Sequence, residues 1–144
     1  MTERHLFVYG TLRKALRHEM YAVLTRGAQF VGSASVRGAL FDLGAYPGFV
    51  VDDVAADLVT GELYALHAPS VEDTLAILDA YEGCAPPDAQ PHEYQRALID
   101  VALADGSTQP AWTYVLNRPV AGMIRIPNGD YVAWRREGAP RDAV

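Results

Sequence analysis

The sequence predicts an α+β fold in which a curved or closed β-sheet carries helices on its outer side. Six segments are rich in β-branched and aromatic residues and are separated by glycine, proline or aspartate, which is typical of strands. Two other segments repeat apolar residues at helical spacing. Many strands with two interposed helices favour this class, and 144 residues are enough to bury a core.

The predicted strands span most of the chain. They are His5–Tyr9, Phe30–Val36, Ala39–Leu43, Leu58–Leu66, Tyr94–Leu103 and Ala111–Leu116. The pair Asp105-Gly106 lies between the last two runs, and such a pair predicts a hairpin turn.

The two predicted helices are Ala15–Leu24 and Ser70–Tyr81. In the second, Ser70 is the expected N-cap and Asp73 occupies the acidic position of a capping box. Its apolar face is expected at residues 71, 75 and 78.

Composition limits the function classes. The formal net charge of −6 disfavours a nucleic-acid partner, because such proteins carry a basic face. The single cysteine, Cys84, excludes an internal disulfide and fits a reducing compartment. The four histidines lack the spacing of a metal site, and no segment has the length of a membrane span or the character of a secretion signal. We therefore expect a cytoplasmic protein without metal or membrane contact, with one domain over residues 1–135 and a flexible tail over 136–144.

A glutamate falls on the apolar face at the end of the second predicted helix. The stripe 71, 75, 78 continues to Glu82, and Gly83 behind it is typical of a helix end. Burial and the negative end of the helix dipole both raise the pKa of a carboxyl group toward neutrality, which suits a general acid or base. The alternative is that the helix ends earlier and Glu82 faces water. Glu62 alternates with Leu63 along its strand, so we expect it to face solvent or to be ion-paired.

The stretch Tyr9-Gly10-Thr11-Leu12 joins the first strand to the first helix. The backbone N–H groups of such a turn can bind an anion or an oxyanion, although an ordinary capped turn has the same sequence. Without a following Gly-Lys-Ser/Thr it is not a phosphate loop. Cys84 is the other candidate for chemistry, but it follows the helix end that does not lower a thiol pKa.

Seven short motifs occur in an order that resembles one family, and they extend from about residue 6 to residue 131. They are VYGTLR (8–13), YPG (46–48), GELY (61–64), LDAYEG (78–83), YQR (94–96), WTYV (112–115) and GDY (129–131). The chain thereby resembles the γ-glutamylcyclotransferase-like proteins, in the avirulence-induced-gene-like branch that contains the γ-glutamylamine cyclotransferases.

This resemblance implies a mixed sheet curled into a small barrel, with a cavity between the YGTL turn and the glutamate of YEG. Glu82 would then be catalytic, and Tyr9, Gly10, Thr11 and Leu12 would bind the γ-glutamyl group. Tyr131 and Tyr114 would border the pocket, unless they only pack within strands. Tyr46 is expected to shape a turn, because Pro47 follows it.

The implied reaction is an intramolecular cyclisation of an L-γ-glutamyl amine or amide. The substrate's own α-amino group attacks the γ-carbonyl, which yields 5-oxoproline and a free amine without a cofactor. A non-catalytic ligand-binding or interaction protein, or a γ-glutamyl amide hydrolase, remains open as an alternative. The resemblance implies a short connection between YEG and YQR, whereas this chain has Cys84–Glu93 there, and we expect this insertion beside Glu82 to serve as a lid or a specificity loop. The sequence therefore leaves the leaving amine and the oligomeric state open.

Overall fold

The computed structural model describes residues 3–10, 21–44, 46–51, 58–68, 70–85, 87–88, 91–117, 119–127 and 129–136. Its elements in chain order are β1 (His5–Val8), α1 (Tyr21–Gly27), β2 (Ala28–Asp42), β3 (Pro47–Val51), β4 (Leu58–Leu66), α2 (Val71–Tyr81), β5 (Tyr94–Leu103), β6 (Thr108–Leu116), β7 (Ile124–Arg125) and α3 (Tyr131–Arg136).

Five strands close into a barrel in the order β2-β4-β1-β6-β5, because β5 also pairs with β2. β3 and β7 extend the sheet by pairing with the far half of β2. The pair β1–β6 is parallel, with Leu6 opposite Trp112, and the other pairs are antiparallel. The expected α+β fold with a small, mixed, barrel-like sheet is confirmed.

The strand predictions are most accurate for two strands in the second half of the chain and at the hairpin turn. β4 and β5 have the predicted bounds, and the predicted hairpin turn is present, with Gly106 at φ +87°. The runs Phe30–Val36 and Ala39–Leu43 belong to one strand, because β2 pairs first with β4 and then continues against β3. β3 itself was not predicted, since a five-residue strand that begins Pro47-Gly48 has a weak strand signal.

The helices differ from the predictions mainly at their ends. α2 begins at Val71 behind Ser70, but the predicted capping box is wrong, because Ser70 makes no side-chain cap. The Ser70 hydroxyl instead donates to the carbonyl oxygen of His67, at 2.9 Å. The described part of the first helix runs to Gly27, three residues past the predicted end, and residues 15–20 lie outside the described residues. α3 was not predicted.

Two apolar clusters lie on opposite sides of the barrel wall. Phe7 and Leu63 belong to the first cluster, while Tyr64 belongs to the second, which the helices α1 and α2 cover. Both faces of β4 are therefore buried. For this reason the prediction of a solvent-facing Glu62 is wrong: the residue is 6% exposed and accepts a hydrogen bond from the Tyr64 hydroxyl at 3.0 Å.

The described helices are all too short or too polar to cross a membrane. The domain boundary at residue 135 stays a prediction, and residues 137–144 lie outside the described part of the chain.

Candidate active site

A cavity of about 510 Å³ lies between the barrel wall and the end of α2. Residues 7–10, from β1 and the turn after it, form one wall, and residues 81–83 from the end of α2 form another. Tyr46 and Pro47, with residues of β5 and β6, complete the lining. The cavity thus joins the two features that the sequence singled out, the glycine turn and the glutamate.

The end of α2 fixes the backbone of Glu82. The Glu82 N–H donates to the Leu78 carbonyl at 2.9 Å, so this residue still belongs to the helical ladder. Gly83 then adopts φ +74°, and the N–H of Cys84 donates to the Asp79 carbonyl at 3.0 Å. This pattern is a Schellman motif, for which glycine is favoured because a side chain is strained at positive φ. The helix does not end early, and Glu82 lines the cavity.

The surroundings of Glu82 favour its neutral form. Burial raises the pKa of its carboxyl group from the ordinary 4.5 to about 7, and the negative charges of Glu93 and Asp79 act in the same direction. Among the described residues, none donates a hydrogen bond to this carboxyl group to offset the burial. A carboxyl group of this kind exchanges protons near neutral pH, which is the property that general acid–base catalysis requires.

Gly10 is held close to the opposite wall. A Cβ added at Gly10 would lie 2.7 Å from Cγ of Pro47, closer than carbon atoms pack. The glycine therefore lets the turn after β1 approach the beginning of β3. This explains the glycine by its packing against Pro47, whereas the sequence suggested direct approach to a ligand.

Three of the expected binding residues line this cavity with Glu82, namely Tyr9, Gly10 and Tyr114. Thr11 and Leu12 lie outside the described residues. Tyr131 does not line the cavity. It begins α3, is 2% exposed and packs in the same cluster as Phe7 and Phe49, so the structure gives it a core position.

Sequence reasoning did not assign four further groups at the site: Tyr46, Asp79, Glu93 and Tyr94. Tyr46 does lie in a turn, where its carbonyl accepts from the Leu43 N–H, but its hydroxyl also donates to Oε1 of Glu93 at 2.7 Å. Glu93 is the last residue of the segment Cys84–Glu93, so this segment contributes a carboxylate to the cavity wall. No local pattern marks this contact, because it joins residues 47 positions apart.

Asp79 lies one helical turn before Glu82 and accepts hydrogen bonds from two neighbouring side chains. Its Oδ1 accepts a hydrogen bond from the Tyr114 hydroxyl at 2.7 Å and another from Nε of Arg96 at 2.8 Å. The guanidinium of Arg96 also stacks over the Trp112 ring, 4.4 Å from its centre. The spacing of three residues from Glu82 was the available sequence signal for Asp79.

Cys84 is unsuited to nucleophilic chemistry. Burial and the charges of Asp79 and Glu82 raise the pKa of its thiol to about 11, so the thiolate is scarce at neutral pH. Within the described residues, no group of three or more histidine, cysteine, aspartate or glutamate side chains could hold a metal ion.

Comparison with known proteins agrees with this geometry. Residues 6–133 match the family described as gamma-glutamyl cyclotransferase, AIG2-like. The chain belongs to this family. The match includes every residue that lines the cavity, from Phe7 to Tyr114.

Among the relatives of this AIG2-like protein is the gamma-L-glutamyl-butirosin B gamma-glutamyl cyclotransferase of Niallia circulans. The two are 34% identical over 115 residues, which cover 79% of this chain and 67% of that protein. The gamma-glutamylcyclotransferase family protein YtfP of Escherichia coli K12 is 34% identical over 128 residues, covering 88% of this chain and 95% of that one.

Solved structures share the fold. The NMR structure of Escherichia coli ytfP has a TM-score of 0.61 at 35% identity and covers 89% of this chain and 96% of that one. The crystal structure of YkqA from Bacillus subtilis has a TM-score of 0.70 at 25% identity over 94% of this chain, which spans only 42% of that longer protein. Family membership and the names of the relatives support an enzyme of the gamma-glutamylcyclotransferase type.

Proposed function

We propose that the protein cyclises an L-γ-glutamyl amine or amide to 5-oxoproline and a free amine, with Glu82 as the general acid–base residue. The observation that carries the proposal is the position of Glu82: a buried carboxyl group whose pKa is about 7 lines the same cavity as the Tyr9-Gly10 turn.

The reaction needs little from the protein except conformation and proton transfer. The attacking amine and the γ-carbonyl belong to one molecule, and well-oriented intramolecular reactions reach effective molarities of about 10⁵ M or more. A cavity of about 510 Å³ is large enough for a folded glutamyl group and part of its amine substituent. The walls on either side of Glu82 would hold the glutamyl chain in the bent conformation that brings nitrogen to carbon.

Glu82 would act both as a base and as an acid in this mechanism. In its ionised form it removes a proton from the substrate's α-ammonium, so that the neutral amine can attack. In its protonated form it donates that proton to the leaving nitrogen as the tetrahedral intermediate collapses. The carboxylate so regenerated takes the second proton from the ring nitrogen and passes it to the departing amine, which leaves as an ammonium ion. A carboxyl group with a pKa of about 7 can perform both steps near neutral pH, whereas one at 4.5 would be a poor base and a scarce acid. The N–H groups of the turn after β1 would hold the substrate's carboxylate or the developing oxyanion.

The part of the cavity beyond the glutamyl group would bind the leaving amine. Glu93 and Tyr46, from the segment Cys84–Glu93 and from the turn before β3, line the same cavity and would contact whatever extends beyond the glutamyl group.

Product analysis tests the proposal. The wild-type protein and Glu82→Gln are incubated with a panel of L-γ-glutamyl amides that includes γ-glutamyl-ε-lysine, and the products are identified by mass spectrometry. We expect 5-oxoproline from the wild type and a rate lower by several orders of magnitude from Glu82→Gln, because glutamine cannot move a proton. Circular dichroism verifies that the variant is folded.

Two outcomes would contradict it. Free glutamate in place of 5-oxoproline would mean that Glu82 activates water and that the enzyme is a hydrolase. A Glu82→Gln variant with a rate comparable to the wild type would remove Glu82 from the mechanism.

A further inference from the structure

A second cavity, of about 370 Å³, lies next to the last turn of α2 and the beginning of β5, and we call it the side cavity. Its described lining residues are Asp79, Cys84, His92, Gln95, Arg96 and Trp112. None of these residues lines the cavity that contains Glu82. A volume of this size admits a small molecule, and such a ligand would contact other side chains than the substrate of the proposed reaction.

Two contacts hold the guanidinium group of Arg96 in the wall of the side cavity. Its Nε donates to Oδ1 of Asp79 at 2.8 Å, and its Cζ lies 4.4 Å from the centre of the Trp112 ring. Trp112 is itself anchored, because its Nε1 donates to the carbonyl oxygen of Glu3 at 2.7 Å. The position of the guanidinium is therefore fixed before a ligand binds, which lowers the entropy that binding costs.

The outer edge of this guanidinium, formed by Nη1 and Nη2, has no protein partner within the described part of the chain. A guanidinium has five N–H donors, and the contact with Asp79 uses the one on Nε. The Arg96 side chain is only 26% exposed, so water reaches the remaining donors in part. Two parallel N–H groups along one edge match two oxygen atoms of a carboxylate or a phosphate group.

We propose that the side cavity binds a small oxyanion, a carboxylate or phosphate group, through the outer edge of Arg96. A guanidinium offers donors alone, so an ammonium group does not fit it, whereas an oxyanion supplies acceptors and the opposite charge. Asp79 does not compete for this edge, because it occupies Nε. The oxyanion would be joined to the active-site cavity by two hydrogen bonds, since Oδ1 of Asp79 also accepts from the Tyr114 hydroxyl.

The indole N–H signals of the two tryptophans provide the test. Trp112 lines the side cavity, whereas Trp134 lines neither of the two cavities and donates from Nε1 to Oδ2 of Asp42, so it is the internal reference. The nitrogen-15-labelled protein is titrated with inorganic phosphate and, separately, with succinate. Sodium chloride keeps the ionic strength constant, and Trp134→Phe assigns the two signals.

Three variants separate the guanidinium edge from charge alone. Arg96→Gln removes the cation, and Arg96→Lys keeps the charge without the paired donors. Arg37→Gln is the matched control, because Arg37 is an exposed arginine of β2 that lines neither of the two cavities and its loss changes the net charge equally. The Trp134 signal also shows whether each variant is folded, and Arg96→Lys decides the test if Arg96→Gln does not fold.

We expect phosphate, succinate or both to shift the Trp112 signal along a saturation curve with a Kd of about 1 to 10 mM, while Trp134 stays in place. Arg96→Gln should abolish this saturation, Arg96→Lys should weaken binding at least about tenfold, and Arg37→Gln should change the Kd less than about twofold. A response to only one of the two probes would support the site and identify the group it prefers.

Two results would overturn the proposal. One is that neither probe shifts the Trp112 signal more than sodium chloride does at the same ionic strength. The other is an unchanged Kd in a folded Arg96→Gln or Arg96→Lys protein. The titration involves no turnover, so its outcome does not depend on whether the protein forms 5-oxoproline.

Discussion

Replacing Glu82 by glutamine should stabilise the protein at alkaline pH and leave it almost unchanged at acidic pH. The pKa of Glu82 rises from 4.5 in an unfolded chain to about 7 in the folded protein. Between these values the folded state binds more protons than the unfolded state, so its free energy of unfolding falls as the pH rises through that window. At 1.36 kcal/mol per unit of pKa, the whole effect is about 3 kcal/mol. Glutamine has nearly the same shape and carries no charge, so the free energy of unfolding of the Glu82→Gln variant does not fall in this way as the pH rises.

Urea denaturation at pH 5 and at pH 8 measures this effect directly, because the free energy of unfolding extrapolates linearly to zero denaturant. The stability of Glu82→Gln relative to the wild type should increase by about 2 to 3 kcal/mol from pH 5 to pH 8. Glu72→Gln is the matched control, since Glu72 is an exposed glutamate in the first turn of the same helix. If the two variants showed the same pH dependence, Glu82 would not be the buried carboxyl group that the site requires.

Three further predictions concern the walls of the cavity. The acidic limb of kcat/KM should lie near pH 7, where Glu82 becomes protonated and can no longer act as a base. Glu93→Gln should move that limb to lower pH, because it removes a negative charge that raises the pKa of Glu82. An unchanged limb in a pH–rate series would show that Glu93 does not influence Glu82. Gly10→Ala should raise KM and lower the melting temperature, because the added Cβ would lie 2.7 Å from the ring of Pro47. Gly32→Ala is the control and should change neither, because its added Cβ would have no atom within 4 Å. Cys84→Ala should retain kcat within about twofold, because a thiol whose pKa is about 11 cannot serve as the nucleophile; loss of turnover in a folded variant would reopen that role.

Much of the fold could be predicted from sequence because its main signals are local. Strands β4 and β5 are rich in β-branched and aromatic residues, and α2 has an apolar stripe that ends at a glycine. β3 and α3 carry no such signal: each is short, and each is defined by the element against which it packs. The burial of Glu62 was missed for a related reason, since alternation shows which face a residue takes but not whether a helix covers that face.

The residues of the candidate site likewise include some with a local sequence signal and some without one. Glu82 could be found because helical periodicity carries the buried face to the last turn, and Gly10 could be found because a strand ends there. The contact of Tyr46 with Glu93 joins distant parts of the chain, and so does the contact of Tyr94 with Pro47. No pattern within a single segment can predict such pairs.

The protonation of Glu82 in the folded protein is the most direct test of the account. Carbon-13 NMR of protein labelled at the glutamate side-chain carboxyl follows each carboxyl group through a pH titration, and the resonance of Glu82 is the one absent from Glu82→Gln. We expect a midpoint at about pH 7, coinciding with the acidic limb of kcat/KM. A midpoint near the ordinary glutamate value of 4.5 would contradict it, because a solvated, ionised carboxylate could not perform both proton transfers at this site.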